Sequence, residues 1–107
     1  MEQLDLAEAI NRLWARFHPE MIARVALLET AAAAFAENSL TFPQQQAANS
    51  AAHKLAGVLG TFSLTKGTVL ARKLEIMFSR ESGPDPEEAK SLTSIAAELR
   101  TIIENRK

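Results

Sequence analysis

Apolar residues recur at intervals of three and four along almost the whole of this chain, and that period dictates α-helices. Residues 4 to 17 carry Leu6, Ile10, Leu13, Trp14 and Phe17 on one stripe. His18-Pro19 then predicts a break, because proline pushes the preceding residue out of the helical region and suits the first turn of a new helix. A second helix is expected over 19 to 38, turned inward on Ile22, Val25, Leu28, Ala32 and Phe35 and closed by Asn38-Ser39. Pro43 opens a third helix that runs to about 62. Leu70, Ala71, Leu74, Met77 and Phe78 mark a fourth. The loop Glu81-Ser82-Gly83-Pro84-Asp85-Pro86 precedes a last helix that follows Leu92, Ile95, Ala96, Leu99, Ile102 and Ile103, with Arg106 and Lys107 at its end. Helices joined by short loops lie antiparallel to their neighbours, so the expectation is an all-α fold, an antiparallel up-down four-helix bundle with a short additional N-terminal helix.

Composition narrows the function classes. With 107 residues the chain reads as a single domain, 1 to 107. Cysteine is absent and there are two histidines, which removes disulfides and thiolate zinc sites and argues against a histidine-rich metal site. The formal charge is -1 with no basic stripe, so no nucleic-acid partner is expected. The longest apolar run, Ala31 to Ala36, is too short to span a bilayer, and the acidic start does not resemble a secretory signal. The expectation is a cytoplasmic monomer that engages no membrane.

Residues 43 to 62 carry the chemistry. On a helical wheel Ala48, Ala51, Leu55, Val58, Leu59 and Phe62 gather on one side and His53 stands nearly opposite. Around His53, at helical neighbour spacings, are Gln46, Asn49, Ser50, Ala56, Gly57 and Gly60, none of them bulky and apolar. A glycine inside a helix costs about 0.8–1 kcal/mol relative to alanine, so Gly57 and Gly60 are unfavourable for the helix itself. They leave an uncrowded surface around one imidazole. Such a histidine can be a surface residue with no role, a metal ligand or a nucleophile. A ligand is disfavoured because no His, Cys or carboxylate stands three or four residues away. Phosphoryl transfer needs in-line positioning and positive charge beside the moving oxygens, and Lys54 supplies such a charge. The chain has no glycine-rich phosphate loop and no carboxylate cluster for Mg²⁺, so the nucleotide and the metal have to come from a partner.

Ala52-His53-Lys54-Leu55-Ala56-Gly57, then Gly60-Thr61-Phe62-Ser63-Leu64, then Ala71 to Leu74-Glu75, resemble the signature of histidine-containing phosphotransfer (HPt) domains of bacterial phosphorelays. The resemblance implies a phosphorelay intermediate and no classical enzyme. His53 would accept a phosphoryl group from a receiver-domain aspartyl phosphate, or from a hybrid histidine kinase's relay, and pass it to the aspartate of another receiver. It assigns His53 as the phosphorylated nucleophile, Lys54 as the phosphate-side cation and Gly57 as the residue that permits access, with Asn49, Ser50, Ala56 and Gly60 on the docking surface. Mg²⁺ would be held by the receiver. Two positions depart from the family pattern. Ala56 stands where many members carry lysine or arginine, and Ser63 where glycine is common. The rival reading is a helical interaction module that binds a signalling partner without exchanging phosphate. A weaker rival self-associates through the alanine-rich second helix. His18, Trp14 and Phe17 read as structural, and Lys66, Arg72 and Lys73 as a solvated face.

Overall fold

The computed structural model describes residues 5–106, so Leu4 and Lys107 of the expected elements lie outside the described residues. Four α-helices follow in order: α1 Leu6–Ala36, α2 Phe42–Thr61, α3 Thr65–Ser79 and α4 Ala89–Asn105, with one 3₁₀ turn at Pro86–Glu88 before α4. Each helix packs on its two neighbours in the ring α1, α2, α3, α4, and the α2–α3 pair is the most extensive. The bundle is the expected antiparallel one.

The expected separate N-terminal helix is a correction. Helix α1 runs unbroken through Pro19 for 31 residues. An interior proline removes one hydrogen bond and its ring crowds the carbonyl four residues back, a cost of about 3 kcal/mol. Trp14, Met21, Val25, Leu28 and Ala32 nevertheless form one continuous buried stripe across it, and Pro19 and Ala15 both sit on the exposed side. Burial on one face outweighs the local preference, and the freed carbonyl on the other face is open to water.

Helix ends are specified locally. Asp5 accepts from the Ala7 N–H to start α1. Thr41 and Gln44 form a reciprocal capping box that opens α2. Both α1 and α2 end in a left-handed residue, Asn38 (φ 62°) and Ser63 (φ 59°). The Ser39 N–H bonds the Ala34 carbonyl at 2.7 Å and the Leu64 N–H bonds the Leu59 carbonyl at 3.0 Å, the six-to-one closure of a Schellman motif in each case. Asn38 suits that conformation; Ser63, the departure noted above, occupies it at a cost that glycine would not carry.

The α3–α4 connection is tied from α2. The Gln45 side-chain amide donates to the carbonyls of Phe78 (3.1 Å) and Arg80 (2.7 Å), satisfying the end of α3. Gly83 adopts φ 80° against this amide, and a Cβ there would lie 3.0 Å from Gln45 Oε1. Arg80 pairs with Glu88 and with Asp85, and the Asp85 N–H donates to Glu88, which fixes the turn into α4. On the far side, Arg100 of α4 makes a two-pronged pair with Glu29 of α1, both distances 2.7 Å. At one end of the bundle Trp14 meets Phe62 edge to face at 5.0 Å, and the Arg106 guanidinium covers the Trp14 ring at 4.9 Å. Arg106 also donates to Asn11 at 2.9 Å.

Candidate phosphotransfer site

The buried side of α2 is Ala48, Ala51, Ala52, Leu55, Ala56 and Leu59, wider than the arc drawn from the wheel because the helix is packed by both α1 and α3. His53 projects from the opposite side near the middle of α2, with 67% of its side chain exposed. Its Nδ1 lies 2.8 Å from Glu75 Oε2 of α3. A carboxylate can only accept, so Nδ1–H is the donor, and in the neutral ring Nε2 is the nitrogen that carries the lone pair.

Glu75 is itself held in place. The Asn49 side-chain amide donates to the Glu75 backbone carbonyl at 2.8 Å, locking the register of α3 against α2. Its second carboxylate oxygen, Oε1, stands 3.5 Å from Arg72 Nη1. The imidazole is thus oriented by a carboxylate that is anchored through its backbone and neutralised on its other side. On the α1 side of His53 lies an open groove of about 400 Å³ lined by Phe17, Glu20, Arg24, Lys54, Gly57, Val58 and Thr61. Arg24 pairs with Glu20 at 3.6 Å.

Lys54 and Gly57 are on the surface beside His53, in this groove. A Cβ at Gly57 would meet nothing within 4 Å, and one at Gly60 would touch only Thr68 Oγ1, at an ordinary 3.7 Å. Neither glycine is demanded by the packing. Ser50 and Gly60 are exposed, whereas Asn49 is half-buried and its amide is committed to α3. Ala56 is a correction: only 1% exposed, it belongs to the core and offers nothing to a docking surface. Trp14 is buried as expected, but Phe17 stands partly exposed at the groove's rim. Arg72, assigned to a solvated face, is joined to Glu75.

The contribution of Glu75 was missed from the sequence, although a signal existed. Ser63 is the hinge of the α2–α3 hairpin; His53 stands ten residues before it and Glu75 twelve after it. Antiparallel helices with equal rise place such residues opposite each other. Among the described residues, no group of three or more His, Cys, Asp or Glu is placed to hold a metal ion. Nor is any helix among them long and apolar enough to cross a membrane.

The model of the family described as Hpt domain matches residues 12–106, and the chain belongs to that family. Domains of this family are phosphotransfer modules of phosphorelays, where they work with receiver domains and histidine kinases. The chain is 32% identical over 96 residues to Protein RcaC of Microchaete diplosiphon, an alignment covering 90% of this chain and 15% of that protein. The chain thus spans about a seventh of the length of this relative. No solved structure matches it.

Proposed function

We propose that His53 is the phosphorylated residue and that its Nε2 attacks the aspartyl phosphate of a receiver domain. The observation that carries this reading is the pairing of an exposed Nε2 with an Nδ1 held 2.8 Å from Glu75. The Nε2 lone pair forms the N–P bond in line as the P–O bond of the acyl phosphate breaks, its electron pair departing with the receiver's carboxylate. The proton stays on Nδ1, the ring becomes cationic, and Glu75 stabilises that charge. Return of the phosphoryl group to a second receiver reverses the same steps.

Lys54 supplies a positive charge on the α2 side, and Gly57 keeps the approach to Nε2 open. Ser50, Gly60 and the groove beside Phe17 and Val58 form the contact surface, a transient interface of at most about 1,200 Å². Mg²⁺ is held by the receiver, and the chain has no nucleotide-dependent activity of its own. It works as a cytoplasmic monomer, with receiver domains or a hybrid kinase as partners and with neither nucleic acid nor membrane.

The test is transfer in vitro. The protein is mixed with Mg²⁺ and phosphorylated receiver domains, and the modified residue is mapped by mass spectrometry at alkaline pH, where a phosphoramidate survives. Label on His53 that is abolished in His53→Gln, with helicity and thermal midpoint retained, is the expected result. Label on another residue, or undiminished label in His53→Gln, would overturn the assignment.

A further inference from the structure

Resting on that reading of His53, we propose that Arg72 of α3 is a phosphoryl-binding residue that changes partner during the reaction. It lies against Glu75 while His53 is free and turns to the phosphoryl oxygens once the N–P bond has formed.

The charges around the imidazole lead to this. Lys54 of α2, Arg72 and Glu75 of α3, and Glu20 and Arg24 of α1 are the charged groups gathered about it. Before transfer, while Nε2 still carries its lone pair, the single charge of Glu75 faces Arg72 across 3.5 Å. After transfer the ring is a cation on Nδ1–H, directly against Glu75 Oε2, so the carboxylate no longer depends on Arg72. At the same moment about two negative charges arrive on Nε2 with the phosphoryl group. The same guanidinium therefore loses much of its hold on Glu75 and gains an unpaired dianion on the ring that Glu75 holds.

Arg72 is free to make that exchange. Its side chain is 58% exposed, and its contact with Glu75 is longer than a hydrogen bond. Arg24, on the α1 side, is more enclosed, with 23% of its side chain exposed. Helix α2 places no cation at position 56, because Ala56 is in the core. A planar guanidinium also binds two phosphoryl oxygens at once, which the ammonium of Lys54 does not. Arg72 thus supplies from α3 a two-pronged donor that α2 lacks.

The test uses phosphoramidate, a small donor that phosphorylates histidine without a receiver. In wild type, Arg72→Gln, Arg72→Lys and Arg24→Gln, phospho-His53 is followed by ³¹P NMR for its hydrolysis half-life. Its exchange equilibrium with a phosphorylated receiver is measured in parallel. Arg72→Gln is expected to shorten the half-life and shift the equilibrium toward the receiver by about five- to tenfold. Arg72→Lys should restore part of the loss, and Arg24→Gln should have little effect. The Arg72 Nε–H resonance should move when wild type is phosphorylated. Normal half-life and equilibrium in Arg72→Gln, with His53 demonstrably phosphorylated, would overturn the exchange of partners while leaving His53's role intact. Failure of wild type to take up phosphate on His53 from either donor would instead overturn the underlying reading.

Discussion

Gly57 separates what the fold needs from what the site needs. A methyl group there would touch nothing, and its position on an exposed helix surface makes glycine the costlier choice. Gly57→Ala is expected to raise stability by about 0.8–1 kcal/mol in denaturant unfolding. Gly57→Leu should keep the helix, accept phosphate from phosphoramidate normally and yet slow exchange with a receiver by on the order of tenfold, a cost of about 1.4 kcal/mol in the transition state. Equal rates with both donors would show that this position does not govern access. His53 and the two glycines were legible in the sequence because an unfavourable residue on an exposed surface is visible from spacing alone. Ala56 was misread for the converse reason. A small side chain is compatible with a core and with a clear surface, and only the packing of α2 between α1 and α3 decides between them.

Among the elements, α1 and α4 are joined by the Glu29–Arg100 pair, and the α3–α4 turn by Arg80–Glu88. The hydrogen bond from Arg100 holds the Glu29 carboxyl below its ordinary 4.5, and those from Arg80 and the Asp85 N–H do the same for Glu88. A carboxyl depressed in the folded state contributes stability that is complete above its ordinary value and lost as pH falls through its folded-state value. The stability gap between wild type and Glu29→Gln should therefore be constant from neutrality to about pH 5 and close below 4.5. Thermal unfolding across that range measures it, and a gap independent of pH would refute the pairing. The helices themselves were legible from their apolar stripes. The continuity of α1 was not, since Pro19 is a local signal for a break and the stripe from Trp14 to Met21 and Val25 that overrides it acts only once α1 is packed. Glu75 was fainter: its partner lies on another helix, the similar distances of the two from Ser63 are the one trace in the sequence, and the register fixed by Asn49 brings them together.

The molecule as a whole is a rod, 59 × 21 × 18 Å, with a Cα radius of gyration of 15.1 Å. A compact domain of this length would have about 13 Å. Small-angle scattering of the 11.7 kDa chain is expected to return a monomer mass and a radius near 15 Å before hydration, and a doubled mass would favour self-association through the alanines of α1. At one end of the rod the single tryptophan, Trp14, lies beneath the Arg106 guanidinium with Phe62 at its edge. The protein thereby carries one tryptophan fluorophore, whose emission senses whether the end of α4 is seated on α1. Fraying of that end would change the emission while far-ultraviolet circular dichroism stayed almost constant, making local opening there optically separable from global unfolding.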